Sequence, residues 1–328
     1  MQPTRIAPTS ANRRSIMKGA ALLPVAALLG GPQRLVAQDS PGNEEKPRTI
    51  AHNAKIKTSI NAWSYYQQLY RSQNGQADGM SLFDMLDECA RLDVDAVDPT
   101  GYFFPEYPKT PPTKFINEFK RRAFQLGLEI SGTGIRNDFA IADKSKRESD
   151  VELAKQWIEA AAEMGAPVVR VFAGKQPAGH SWEETASWMS DALASCAEHG
   201  EKFGVVVGVQ NHGDMLQSAD EVLRILGMVN SQWLGTIVDT GFFLTPDPYV
   251  DIARVTPHAV NWQVKELLSD RKGPKIDMQR LVKIIHASNY RGYVPVETLP
   301  VDGEEDEYDA LARVPELLTS LRTALAKN

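Results

Sequence analysis

The chain has 328 residues, of which 42% are hydrophobic and 24% charged, and a net charge of −6 from 36 basic and 42 acidic side chains. That is enough apolar material for a large core, so general disorder is excluded, and no basic tract offers a footprint for nucleic acid. The two cysteines, Cys89 and Cys196, exclude a disulfide framework and a thiolate zinc site.

Residues 1–37 hold five basic side chains (Arg5, Arg13, Arg14, Lys18 and Arg34) and no acid, which leaves 31 basic against 42 acidic residues, a net of −11, in the remainder. Arg13-Arg14-Ser15-Ile16-Met17-Lys18 precedes an apolar run from Gly19 to Gly31. That run is shorter than the roughly 20 residues a bilayer span needs. A charged start, a short apolar stretch and the small residue Ala37 read as a signal peptide, and the paired arginines resemble the twin-arginine type. This implies export of a folded protein to the periplasm. Residues 38–54, with Pro41, Gly42, Glu44, Glu45 and Pro47, read as a linker. Residues 55–328 remain as a single domain.

Within that domain, strand and helix signals alternate. An apolar alternation over Lys55–Trp63 predicts the first strand. The first helix follows at Ser81–Asp93, with Leu82, Met85, Leu86 and Cys89 on one face. Next come a strand at Ala96–Tyr102 and a helix at Thr113–Gly127, then a strand at Leu128–Thr133 and a helix at Asp150–Gly165. The fourth pair is Pro167–Gly174 and Trp182–Phe203, and the fifth is Val205–Asn211 and Ala219–Val229. The sixth is Leu234–Thr240 with a helix around Asp247–Arg254, and the seventh is Ala259–Glu266 with Met278–Ser288. Tyr293–Leu299 and Tyr308–Ala326 close the chain. Gly127, Gly165 and Gly204 stand where left-handed helix stops are expected. Eight such units predict a (β/α)₈ TIM barrel, which typically takes ~250 residues. The rival, an open doubly wound sheet, needs a glycine-rich first turn, and this chain has none.

Barrel enzymes work at the C-terminal ends of their strands. The last four predicted strands each end in an oxygen-bearing side chain: Gln210, Asp239, Gln263 and Glu297. Two carboxylates and two amides converging there would suit a hard cation such as Mg²⁺, Mn²⁺ or Ca²⁺. Lys265 follows Gln263 by two residues and so shares its strand face. A lysine facing into a barrel is costly unless it meets an anion or a substrate oxygen. His212, two beyond Gln210, is either an acid/base group at the mouth or a loop histidine capping the next helix. Arg136 follows strand three and could clamp a hydroxyl or carboxylate. Arg170 and Asp98 read first as a structural ion pair on alternate strands. Trp63, Tyr65, Tyr102, Phe103, Phe104 and Trp262 gather at the ends of strands one, two and seven, and some of them would bind the apolar face of a sugar ring. His180 lies in the loop after strand four. His199, His258 and His286 fall in or beside helices.

The segments VVVGVQNHGD (Val205–Asp214), TIVDTG (Thr236–Gly241), VNWQVKE (Val260–Glu266) and GYVPVETL (Gly292–Leu299) resemble the sugar phosphate isomerase/epimerase family, the xylose isomerase-like TIM barrels. The resemblance implies a divalent metal, Mn²⁺ or Mg²⁺, held by Glu, Asp, His and Glu from strands five to eight. These positions are Gln210, Asp239, Gln263 and Glu297 here, so both flanking acids are kept and the first Glu and the His are both Gln. An amide takes no proton near neutral pH, so a symmetric two-base epimerisation loses one base. The expected activity is therefore proton abstraction beside a carbonyl on a sugar or oxidised glycoside, giving isomerisation, epimerisation or, with one base, elimination. Glu297 would be the base, with Lys265 or His212 stabilising the enediolate or protonating the leaving group. Trp63, Tyr102, Arg136, His180 and Trp262 are the expected substrate contacts. The expected partner is a small sugar or glycoside, with no nucleic acid and no stable membrane insertion of the mature chain; the oligomeric state stays open. The rival from another class is a sugar-binding barrel without turnover and with a degenerate metal site.

Overall fold

The barrel is built from eight parallel segments made largely of buried residues. In the computed structural model, which describes residues 56–327 apart from Asp302 and Glu304, these are β1 (Lys57–Asn61), β2 (Ala96–Asp98), a third stave in two pieces, β3 (Glu129–Ile130) and β4 (Thr133–Gly134), then β5 (Val168–Phe172), β6 (Val206–Gln210), β7 (Leu234–Asp239), β8 (Ala259–Gln263) and β9 (Tyr293–Val296). They pair in the orders β3-β2-β1-β9 and β4-β5-β6-β7-β8. Parallel bridges Thr100–Gly134 and Val264–Val296 join the two sets. The result is a (β/α)₈ barrel. The proposed signal peptide and linker lie outside the described residues.

The helices wrap this barrel: α1 (Tyr66–Gln73), α2 (Leu82–Arg91), α3 (Thr113–Gln125), α4 (Lys144–Met164), α5 (Trp182–Phe203), α6 (Ala219–Val229), α7 (Pro248–Val255), α8 (Met278–Ala287) and α9 (Ala310–Ala326). Each apolar stripe packs on the outer face of the strands, with Trp157, Phe104 and Phe119 among the largest fully buried side chains. Ser81 and Ser218 open α2 and α6 with complete capping boxes. Gly165 and Gly204 end α4 and α5 with φ of 83° and 69°, a conformation that costs glycine least. No helix among the described residues is long and apolar enough to cross a membrane.

Three local features depart from expectation. Helix α1 was not anticipated; its sequence YQQLYRSQ buries Leu69 alone, so it carries almost no apolar period. Helix α4 starts at Lys144, because Asp143 accepts from the Ser145 and Lys146 amides and nucleates a charged turn with no apolar signal. Strand β8 slips in register against β7: Thr236 pairs with Ala259, but Ile237 pairs with Asn261. The extra residue, Val260, packs over Gly208 and Gly235, while its neighbour Asn261 reaches Asp98 across the barrel. Two consecutive side chains therefore face the interior, as a bulge allows.

Candidate active site

The C-terminal end of the barrel opens into a cavity of about 550 Å³. Its floor is built from β6 to β9. Asp239 and Gln263 are direct partners in the β7–β8 ladder, and Glu297 follows β9 with its amide donating to Val264 O at 2.9 Å. The bulge at Val260 sets the phase of β8, turning Asn261 and Gln263 inward and Trp262 outward.

These side chains form one buried network. Gln210 Nε2 donates to Asp239 Oδ2 at 2.7 Å and meets the Gln263 amide end at 2.5 Å. That end of Gln263, which accepts from Gln210, stands 3.1 Å from Asp239 Oδ2 and 3.3 Å from Glu297 Oε2. Lys265 Nζ is bonded to Glu297 Oε1 and lies 3.4 Å from Asp239 Oδ2. Its side chain is 5% exposed, so the ammonium is kept there by the two carboxylates. The Lys265 backbone amide donates to Thr240 Oγ1 at 2.9 Å, and its stem crosses Gly241, where a Cβ would come within 2.7 Å of Lys265 Cγ. Gly241 is required here for that close approach. Burial raises the Asp239 carboxyl above the ordinary carboxylate range; Lys265 opposes this, and the nearby Glu297 charge adds to it.

A second polar layer lies below. Asp98 accepts from Asn61 Nδ2 at 3.3 Å and from Asn261 Nδ2 at 3.0 Å. Its burial pushes the carboxyl up to about 7, with Arg170 pulling it down and Glu297 pushing it further up. The expected Asp98–Arg170 ion pair does not form. Arg170 instead donates to Ile135 O at 2.6 Å and to Tyr102 Oη at 2.7 Å, with its guanidinium 4.0 Å from the Phe172 ring centroid.

Trp63, Tyr102 and Arg136 line the cavity, together with Lys265, Glu297, Gln210, Gln263 and His212. Trp63 stands edge-on to Tyr102 at 5.7 Å, and the Arg136 guanidinium lies 4.9 Å from the Tyr102 ring centroid. His212 stacks on Phe242 at 4.4 Å, half-exposed at the mouth rather than on the floor. Two expected substrate contacts fall elsewhere. Trp262 is fully buried behind the strand beside Tyr290, since alternation turns it away from Gln263. His180 pairs with Glu184 at 3.0 Å and packs against Trp188 at the start of α5, outside the cavity lining. Tyr65, Phe103 and Phe104 are buried, and none of them lines the cavity. Asn61, Phe172 and Phe242 line the cavity unanticipated. Asn61 ends its strand with a polar side chain, which was the available signal.

The donor set does not fit the divalent metal that the resemblance implies. A hard cation at Gln210, Asp239, Gln263 and Glu297 needs an oxygen turned inward from each. Gln210 turns its nitrogen to Asp239, and the Lys265 ammonium occupies the place between the two acids. Among the described residues no three His, Cys, Asp or Glu side chains converge as a metal cluster.

The profile of the xylose isomerase-like TIM barrels matches residues 86–319, most of the chain. The chain belongs to this family. No curated protein matches the sequence significantly. Among solved structures, the chain is similar to the apo form of 3-keto-D-glucoside 4-epimerase YcjR from E. coli, with a TM-score of 0.64 and 15% identity over 82% of this chain and 100% of that one. It is similar to D-psicose 3-epimerase with D-tagatose from Clostridium cellulolyticum H10, with a TM-score of 0.64 and 13% identity over 83% of this chain and 97% of that one. It also resembles the IolI protein with a bound zinc atom, with a TM-score of 0.64 and 15% identity over 83% and 97% of the two chains. At these identities the likeness shows the fold.

Proposed function

We propose that this xylose isomerase-like barrel is an enzyme that abstracts a proton beside the carbonyl of a sugar or oxidised glycoside. The observation that carries this reading is the Lys265–Glu297 pair on the buried floor of a cavity walled by Trp63, Tyr102 and Arg136. A base and a cation side by side suit enolisation. Glu297 takes the C–H proton, the electron pair moves onto the carbonyl oxygen, and Lys265 donates an N–H to the oxyanion as it forms. The aromatic faces of Trp63 and Tyr102 hold the sugar ring, and Arg136 binds a hydroxyl or carboxylate at the mouth. Return of the proton to the former carbonyl carbon, while the adjacent hydroxyl passes its own proton to the first oxygen by way of Lys265, gives isomerisation; departure of a β-oxygen substituent with its bonding electron pair gives elimination. With an amide at Gln210, Glu297 is the one floor carboxylate that lines the cavity, since Asp239 is fully buried behind it, which favours elimination over symmetric epimerisation. His212 stands at the mouth to protonate a departing oxygen. The similar solved structures include two sugar epimerases, which supports a carbohydrate substrate. We also propose export by the twin-arginine route, on the sequence Arg13–Gly31.

Solvent deuterium exchange decides the central claim. Free ketoses and 3-keto-glycosides are incubated in D₂O and followed by NMR. The expected result is exchange or elimination with at least one compound, reduced by about 10²–10⁴-fold in Glu297→Gln, the range of a lost general base. The Lys265 engagement of Glu297 also suits a barrel that binds sugar without turning it over. Saturable binding across the panel with no exchange would establish that alternative instead.

A further inference from the structure

We infer that the Lys265 ammonium stands in for the divalent metal, so that the cation of this site is part of the chain and the protein works without one. Four observations converge. Lys265 Nζ contacts Glu297 Oε1 and lies 3.4 Å from Asp239 Oδ2, between the two acids on adjacent strand ends. Its position is built rather than incidental: the backbone amide is tied to Thr240 Oγ1, and the stem passes over a glycine that leaves room for it. Gln210 directs an N–H, not an oxygen, at Asp239. The charge count also balances. Three carboxylates around a dication carry one net negative charge, and two carboxylates around an ammonium carry the same. An amide at position 210 in place of the family's Glu, with the Lys265 ammonium in place of a dication, therefore leaves the field on a substrate oxygen of similar sign. Lysine differs from a metal in that it donates directional N–H bonds and cannot chelate two substrate oxygens. It suits a substrate offering one carbonyl oxygen to the floor, with the rest of the ring on the aromatic wall.

This inference rests on the reading of the cavity as a sugar site, but its test needs no turnover. Failure to find a substrate and failure of the inference are thus separate results. The purified mature chain is titrated with Mn²⁺ while the signal of free Mn²⁺ is followed by electron paramagnetic resonance, and thermal unfolding is recorded at each concentration. Wild type should show no stoichiometric site below about 1 mM and no rise in Tm. Lys265→Met removes the charge and keeps the stem; it should bind Mn²⁺ at least about tenfold more tightly than wild type, with Tm rising with Mn²⁺. Lys265→Arg keeps a cation and should stay without the site. One equivalent of tightly held Mn²⁺ on wild type would overturn the inference, and so would a folded Lys265→Met with no gain in affinity. If Lys265→Met does not fold, the wild-type titration decides alone: a stoichiometric site overturns the inference and its absence to about 1 mM upholds it.

Discussion

Asp98 gives the clearest measurable consequence of how this barrel buries charge. Its carboxyl is buried inside the barrel, 7% exposed, with Asn61 and Asn261 donating to it. Burial moves it from an ordinary 3.8 to about 7. An acid raised in this way keeps its proton in the folded state while the unfolded chain releases it. Its contribution to stability is therefore complete below pH 3.8 and is lost as pH rises through about 7. At ~1.4 kcal/mol per pH unit, the difference amounts to about 4 kcal/mol as an upper bound. Asp98→Asn removes the titration and keeps an oxygen to accept from Asn261. The variant should therefore gain on wild type by about 2–4 kcal/mol between pH 4 and pH 8. Urea unfolding followed by tryptophan fluorescence at half-unit pH steps measures this. Two stability curves that run parallel over that whole range would show that Asp98 ionises as it does in solution, and the argument from burial would be wrong.

Gly241→Ala would place a Cβ 2.7 Å from Lys265 Cγ and 3.3 Å from Leu267 O, displacing the lysine stem. It should cost about 1–3 kcal/mol of stability by overpacking, readable in the same urea titration. It should also lower solvent exchange by at least about tenfold, because a small displacement of a reacting group is costly; unchanged exchange would mean that Lys265 has no part in it. Replacing both Arg13 and Arg14 with Lys should leave the protein in the cytoplasm, which fractionation and immunoblotting would show. Export of the double variant at the wild-type level would rule out the twin-arginine route.

Much of the barrel was readable from local chemistry. Helices α5 and α6 begin and end at the expected residues because Ser181 and Ser218 cap them and their apolar stripes are unbroken. The strand tips Gln210, Asp239, Gln263 and Glu297 were legible as polar residues ending apolar runs, and all four meet on the barrel floor. Signals of this kind live within about ten residues of sequence, where hydrogen-bond geometry and side-chain periodicity act. Pairing across the barrel does not. The slip at Val260 depends on how β8 docks against Gly208 and Gly235, and it turns Trp262 into core while aiming Asn261 at Asp98. Arg170 reads from sequence as the partner of Asp98, but Ile135 O in the loop after the third stave and Tyr102 Oη in the segment after β2 take its N–H groups at closer range. His180 went to Glu184 because the two stand one turn apart at the start of α5. Alternation by itself showed that Lys265 shares a face with Gln263. That its ammonium ends between Asp239 and Glu297 was decided by the packing of three strands and by the space left at Gly241, since a long flexible side chain takes its place from what surrounds it.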